Sequence, residues 1–137
     1  MLRRTLPAMD ALLVAAAVPA VLAALLHVWI FVLEAVRWEH PATRRTFGTT
    51  AEQAAATREM AYNQGFYNLF LAVVTLAGVV VLGLARGAGV ALVVAGTGSM
   101  LAAALVLVTS DRRRTRPAAV QGTLPALALL LLLAALL

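Results

Sequence analysis

The sequence predicts an all-α integral membrane protein, an antiparallel four-helix bundle in up-down order. Hydrophobic residues make up 63% of the 137 residues and charged residues only 12%, whereas soluble domains carry about 25% charged residues. The mean hydropathy is +0.93, and a soluble domain of this size needs far more polar surface than these residues supply. The apolar residues fall into four runs, and each reaches the roughly 20 residues that a membrane helix requires.

We predict one transmembrane domain over residues 1–137, with four spans that the apolar runs define. Only His27 and Glu34 interrupt the first run, and the second and third runs contain no charged residue. Arg86 and the glycine-rich residues after it form a minimal turn, so the second and third spans should be antiparallel neighbours. The predicted spans are about residues 11–36, 60–85, 87–110 and 117–137.

The first loop is long enough to contain structure of its own. Thr49 and Glu52 match a capping box, in which both side chains satisfy backbone N–H groups at the start of a helix. Alanine-rich sequence without a helix breaker follows over residues 51–61. We therefore predict a short cytoplasmic helical segment that leads into the second span.

The distribution of arginine predicts the orientation. All eleven basic residues are arginine, and eight of them lie in segments 37–58 and 111–116. The positive-inside rule assigns these segments to the cytoplasm, which leaves both termini outside, and the side that holds Arg3, Arg4 and Arg86 is the poorer one. The expected location is the bacterial cytoplasmic (inner) membrane.

The same arginines define the expected partners. Because they lie between apolar runs, they indicate contact with the bilayer and not with nucleic acid. A homo-oligomer is compatible with the sequence. Anionic phospholipids are the predicted partners of a cluster after the third span, Arg112, Arg113, Arg114 and Arg116.

Ionisable residues inside a span are costly and by default indicate function. His27 and Glu34 are seven residues apart, which returns both side chains to nearly the same face of a helix. They are the candidate catalytic residues, as a proton-transfer pair. The alternatives are that His27 is simply a buried histidine and that Glu34 pairs with Arg37 or Arg58 near the headgroups.

The start of the second span carries a further polar set. Gln64 and Asn68 are four residues apart, and Asn63 and Tyr67 form a second such pair beside them. Because the first two spans are antiparallel, Glu34 should lie level with Asn63 and Gln64, and His27 should lie deeper. The candidate ligand-binding residues are Asn63, Gln64, Tyr67, Asn68 and Trp38. The alternative role of the three amides is hydrogen bonding between helices. The alternatives for the aromatic residues are packing in the core or at an interface for Tyr67 and anchoring at the membrane interface for Trp38.

Neither a metal nor a cofactor is predicted. The chain has no cysteine and two histidines, and the position of His40 beyond the span does not match a known zinc-binding spacing.

Three functions fit these residues. The first is an intramembrane pocket between spans 1 and 2 that binds or transforms a small lipophilic molecule, with or without enzymatic turnover. The second is a small proton-coupled transporter that uses Glu34. The third is a structural or accessory subunit in which the polar residues only hold helices together.

For Glu34 itself we predict a carboxylate at the rim of the pocket, held by an arginine. Helix geometry places Arg37 about 60° from the shared face of His27 and Glu34, which is within reach of the Glu34 carboxylate.

One string of residues is similar to a known family. His27-x6-Glu34, Trp38, Phe47-Gly48-Thr49 and Asn63-Gln64-Gly65-x-Tyr67-Asn68-x-Phe70-Leu71-Ala72 resemble small bacterial four-span membrane proteins that are grouped as a domain of unknown function. The similarity extends from about Leu26 to Ala72. It implies a four-helix inner-membrane fold and brings no activity or catalytic residue with it.

Overall fold

The computed structural model describes residues 11–137. Arg3, Arg4 and the predicted position of the N-terminus therefore lie outside the described residues. All regular structure in the described part is helical, which confirms the all-α prediction. The helices are α1 (Ala11–Phe31), α2 (Pro41–Phe47), α3 (Ala51–Ala56), α4 (Arg58–Leu82), α5 (Arg86–Ser110) and α6 (Thr115–Leu136).

Four of these helices are long and apolar enough to cross a membrane: α1 with its extension to Val36, α4, α5 and α6 with the 3₁₀ turn before it. They pack in the cyclic order α1, α4, α5, α6, and α6 closes back onto α1. Contacts across the diagonal between α1 and α5 are sparse. Residues paired between α4 and α5, such as Gly78 with Val93 and Gly96 with Thr75, run in opposite chain directions, and the arrangement is an antiparallel four-helix bundle.

Small residues allow close packing between α4 and α5. A Cβ atom built on Gly78 would lie 2.7 Å from the backbone nitrogen of Val93. A Cβ on Gly96 would collide with the Thr75 hydroxyl, so glycine is required there as well. Such small-residue contacts are typical of helix pairs in membranes, where close backbone approach increases the van der Waals attraction.

Three polar side chains lie fully inside the bundle, and each is satisfied by its own helix. The hydroxyls of Thr75 and Thr97 donate to the carbonyls of Leu71 and Val93, at 2.8 and 2.6 Å. The Nδ1 atom of His27 lies 2.9 Å from the carbonyl oxygen of Ala23. Hydrogen bonds to the carbonyl four residues earlier remove the cost of burying these groups.

The loop between α1 and α4 folds into two short helices. His40 caps α2, with its Nδ1 accepting the Ala42 N–H at 3.3 Å, and Pro41 occupies the first helical position. Gly48 ends α2 at φ +68°, a left-handed conformation that glycine adopts without strain. The sequence analysis did not predict α2, although His40, Pro41 and Gly48 are its sequence signals.

The predicted capping box of α3 is displaced by one residue. Thr50, and not Thr49, caps the helix: its hydroxyl accepts the Gln53 N–H at 3.1 Å, and the Gln53 side chain accepts the Thr50 N–H at 3.0 Å. The Thr49 N–H donates to the Arg44 carbonyl at 2.9 Å and so belongs to the C-terminal end of α2. Because the end of α2 occupies Thr49, the next residue becomes the cap of α3.

Candidate functional site

Glu34 lies in a π-helical turn, Val32–Val36, that extends α1. The turn is closed by a 2.9 Å bond from the Arg37 N–H to the carbonyl of Val32, five residues earlier. A π turn inserts one extra residue into the helix and re-aims the side chains on it, and such turns are frequent at functional sites. Here the turn lies at the end of the first span.

The Glu34 carboxylate is bound by α4. The Asn68 side-chain amide donates to Glu34 Oε2 at 2.9 Å and to the Gln64 carbonyl at 3.1 Å. A Cβ atom on Gly65 would lie 2.9 Å from the backbone nitrogen of Ala35. Glycine at this position therefore lets α1 and α4 approach closely enough for the hydrogen bond to form.

Glu34 lies close to the predicted depth. A Cβ atom on Gly65, the residue after Gln64, would lie 3.2 Å from the Cβ of Glu34. From there the carboxylate extends to Asn68, about one helical turn further along α4. The sequence could not predict this pairing, because it depends on which small residue admits the neighbouring helix.

A cavity of about 370 Å³ lies beside Glu34, between the end of α1 and the start of α4. We call it the rim cavity. Its wall combines charged, aromatic and apolar residues from both helices and the segment after α1. The lining residues are Glu34, Ala35, Val36, Arg37, Trp38, Glu39, His40, Arg58 and Tyr62.

The predicted partnership of Glu34 with Arg37 is wrong. The carboxylate binds Asn68, and no arginine among residues 11–137 forms an ion pair with it. The helix ends at Val36, and Arg37 has a non-helical backbone, with φ −121° and ψ 20°. The side chain of Arg37 therefore leaves the helical path that would bring it back to Glu34.

The nearest polar neighbour of Arg37 is His40. Arg37 Nη2 lies 3.4 Å from His40 Nε2. This contact occupies at most one of the five N–H donors of the Arg37 guanidinium. The other donors of Arg37 remain available to the rim cavity.

Trp38 lines the cavity and also holds the loop together. Its indole N–H donates to the Ala54 carbonyl at 3.1 Å and to the Thr57 hydroxyl at 3.2 Å. Its ring packs edge-on against Phe47, with 5.0 Å between ring centroids. Trp38 thus ties the end of α1 to both short helices, and only its ring remains to contact a ligand.

His27 is separate from this group. It is 1% exposed, and it is not among the residues that line the rim cavity. Seven residues along α1 correspond to about 10 Å, so the two candidate catalytic side chains are not in contact. Direct proton transfer between His27 and Glu34 would need a bridging molecule.

The remaining predicted ligand-binding residues face another direction. Asn63, Gln64 and Tyr67 are exposed. Together with Ala56, Glu59 and Met60 they line an open depression of about 470 Å³, which we call the outer hollow. Of the predicted polar set on α4, the structure brings only Asn68 to Glu34.

Glu39, Arg58 and Tyr62 line the rim cavity but were not among the predicted site residues. Glu39 and Arg58 form an exposed ion pair across the mouth, with 3.8 Å between Oε2 and Nε, and exposed pairs of this kind stabilise little. Tyr62 lies beside them and packs on Phe66, with ring centroids 4.9 Å apart. No local pattern indicates these residues, because the return of the loop through α2 and α3 brings them together.

The described residues contain no group of three or more histidine, aspartate or glutamate side chains that could hold a metal ion.

The four long apolar helices define the class: a multi-pass α-helical membrane protein. Residues 21–133 match a family model described as a protein of unknown function, DUF1304. The chain belongs to this family. Comparisons with curated proteins and with solved structures give no match.

Proposed function

We propose that this protein resides in the bacterial cytoplasmic membrane and binds a small lipophilic molecule in the rim cavity. The observation that carries the proposal is Glu34, a half-buried carboxylate within an apolar span that is held at the cavity wall by Asn68. A carboxylate at that depth is costly. An organic molecule with a polar end and an apolar body would satisfy the carboxylate and remain partly in the bilayer.

The orientation and the lipid contacts belong to the same proposal. The rim cavity lies at the end of the bundle that carries the arginine-rich segments 37–58 and 111–116. By the positive-inside rule this end faces the cytoplasm. The exposed cluster Arg112, Arg113, Arg114 and Arg116 would contact anionic phospholipids there.

Binding has more support than proton-coupled transport. Glu34 lies at the end of the first span, whereas transporter sites lie near the bilayer midplane. The buried polar residues nearer the middle of the bundle, such as His27 and Thr97, bond to their own helices. Chemical conversion of the ligand would use Glu34 together with other residues of the rim cavity, since His27 does not reach it.

Extraction of co-purifying molecules tests the proposal. The wild type is purified in a non-ionic detergent beside Glu34→Ala and Asn68→Ala, and organic extracts are compared by mass spectrometry. Loss of a polar contact to a charged group lowers affinity by about tenfold, so a compound that the wild type retains should be depleted in Glu34→Ala. It should also be depleted in Asn68→Ala, because Asn68 holds the carboxylate at the cavity wall. Glu52→Ala, an exposed carboxylate on α3 outside the cavity, should retain it. Identical extracts from all four proteins would refute the binding role.

A second candidate, an accessory or self-associating subunit, rests on the outer hollow. Asn63, Gln64 and Tyr67 are polar side chains on the outside of a membrane helix, and amide side chains there can hydrogen-bond to another helix. A Gln64→Cys variant tests it: crosslinking to a stoichiometric partner or to a second copy would support this role. A monomer without crosslinks in native membranes would exclude it.

A further inference from the structure

We infer the class of ligand from the charges of the rim cavity: an amphiphile with a zwitterionic head, whose cationic group lies next to the tail and whose anionic group lies outermost. This inference rests on the proposed binding function and deepens it.

The charges in the cavity favour a ligand that carries both a cationic and an anionic group. Glu39 and Arg58 pair with each other at the mouth, which leaves Glu34 and Arg37 as the charges without an ionic partner among the described residues. Glu34 uses one acceptor position, on Oε2, for Asn68, and a carboxylate offers about four. The Arg37 guanidinium has five N–H donors in a fork that matches phosphate, sulfonate or carboxylate.

The order of Glu34 and Arg37 along the membrane normal determines the order of the cationic and anionic groups that the ligand should have. Glu34 lies inside the first span, in the π turn, three residues before Arg37. Three helical residues correspond to about 4.5 Å. Arg37 is the first residue after the turn and lies toward the loops. The negative wall is therefore the deeper one and the positive wall the outer one.

A tail in the bilayer enters from the deep side. Along α1, Glu34 is the lining residue that lies furthest into the apolar span, and the rest of that span continues on its deep side. A cationic group beside the tail would meet the Glu34 carboxylate, and an anionic group beyond it would meet Arg37. A head of the reverse order would place its anion against Glu34, where the like charges repel.

Two zwitterionic detergents of opposite charge order test this inference. Dodecyl sulfobetaine has its ammonium next to the tail, and dodecylphosphocholine has its phosphate there, while tail length and net charge are the same. Each is titrated into the protein in a non-ionic detergent, and binding is followed by native mass spectrometry. The sulfobetaine should bind about tenfold more tightly or better, because only its order satisfies both charged walls.

Two variants test which residue binds the cationic group of the head and which binds the anionic group. Glu34→Gln keeps an oxygen acceptor for Asn68 and should reduce the preference between the detergents, with the part that Arg37 contributes retained. Arg37→Gln should weaken the sulfobetaine by about tenfold and leave a dodecyl ammonium probe unaffected. Glu52→Gln and Arg45→Gln, exposed residues that do not line the cavity, are the matched controls.

A short-chain sulfobetaine that lacks the dodecyl tail distinguishes the source of the ligand. If only the sulfobetaine with the dodecyl tail binds, the ligand is a membrane amphiphile. Equal binding of both probes assigns a soluble zwitterion and overturns the part of the inference that concerns the tail.

The remaining outcomes separate this inference from the proposed function. Equal affinities of the wild type for the two detergents, both lost in Glu34→Ala, would overturn the charge order and leave the pocket intact. Binding that is insensitive to every cavity variant would overturn both. The comparison within the wild type needs no variant to fold.

Discussion

At the scale of single residues, the contact between Glu34 and Asn68 sets the properties of the site. It is a charge-assisted hydrogen bond between two spanning helices, and it is 2.9 Å long. Hydrogen bonds between membrane helices contribute about 0.6–2 kcal/mol. The sequence identified both residues, but their pairing depends on the offset between α1 and α4.

A double-mutant cycle at this contact has a definite expected result. Glu34→Ala should lower the free energy of unfolding by about 1 kcal/mol more than Glu34→Gln, because glutamine retains an acceptor for the Asn68 amide. Combined with Asn68→Ala, the Glu34→Ala effect should be non-additive by a similar amount. Thermal unfolding in detergent measures both quantities. Additive effects, or equal stability of the alanine and glutamine variants, would show that the hydrogen bond does not form.

At the scale of elements, α2 and α3 build the outer wall of the site. They are short helices that end and begin through specific caps, and Trp38 ties them to α1 through its bonds to Ala54 and Thr57. Isolated helices of six or seven residues are not stable in water. The caps and the indole contact therefore account for the order of this segment.

The caps of α3 give a test with a control next to it in the chain. Thr50→Ala removes the hydroxyl that accepts from Gln53 and should destabilise α3 by about 1 kcal/mol. Thr49→Val replaces a buried hydroxyl that has no hydrogen-bond partner among the described residues and should be neutral or stabilising. Hydrogen exchange of residues 50–57 measures both. A larger effect at Thr49 would restore the capping box that the sequence predicted.

The packing of α4 on α5 gives a second test at this scale. Gly78→Ala places a Cβ 2.7 Å from the Val93 backbone nitrogen, so the helices must separate, at a cost of about 1–3 kcal/mol. Gly98→Ala lies in α5 with no neighbour within 4 Å of the new Cβ. Because alanine favours helix over glycine, it should stabilise by up to about 1 kcal/mol. Opposite shifts of the melting temperature are expected, and shifts of the same sign would contradict this packing.

At the scale of the whole molecule, the up-down bundle brings the arginine-rich segments to one end. The loop that holds α2 and α3 and the turn Arg112–Arg114 both connect helices at that end. The turn between α4 and α5 lies at the opposite end. The count of arginines predicted which side of the membrane each connecting segment faces. Because four spans alternate in direction, the two arginine-rich segments lie at the same end of the bundle.

Cysteine labelling tests this arrangement without background, because the chain has no cysteine. Ala55→Cys and Arg113→Cys should react with a membrane-impermeant maleimide only after the membrane is opened. Gly87→Cys should react in intact cells, because it lies at the other end. Labelling of Ala55→Cys in intact cells would reverse the orientation, and different accessibility at positions 55 and 113 would contradict the bundle.

The amino-acid sequence alone determined the class of protein and the position of its costly residues. Four long apolar runs allow only helices in a bilayer, because helices satisfy their backbone hydrogen bonds internally. It also singled out Glu34 and Asn68, since polar side chains in such runs are conspicuous. These are local properties, which composition and spacing are sufficient to reveal.

Only the tertiary structure decided which polar residues meet. The π turn at Val32–Val36 re-aims Glu34, and the close approach at Gly65 sets its depth, so Asn68 and not Arg37 becomes its partner. On α4, Gly65 faces α1, which leaves Asn63 and Gln64 exposed on the outer face. Helical periodicity predicts which residues share a face. Which face meets a neighbour depends on packing between segments that are distant in the chain.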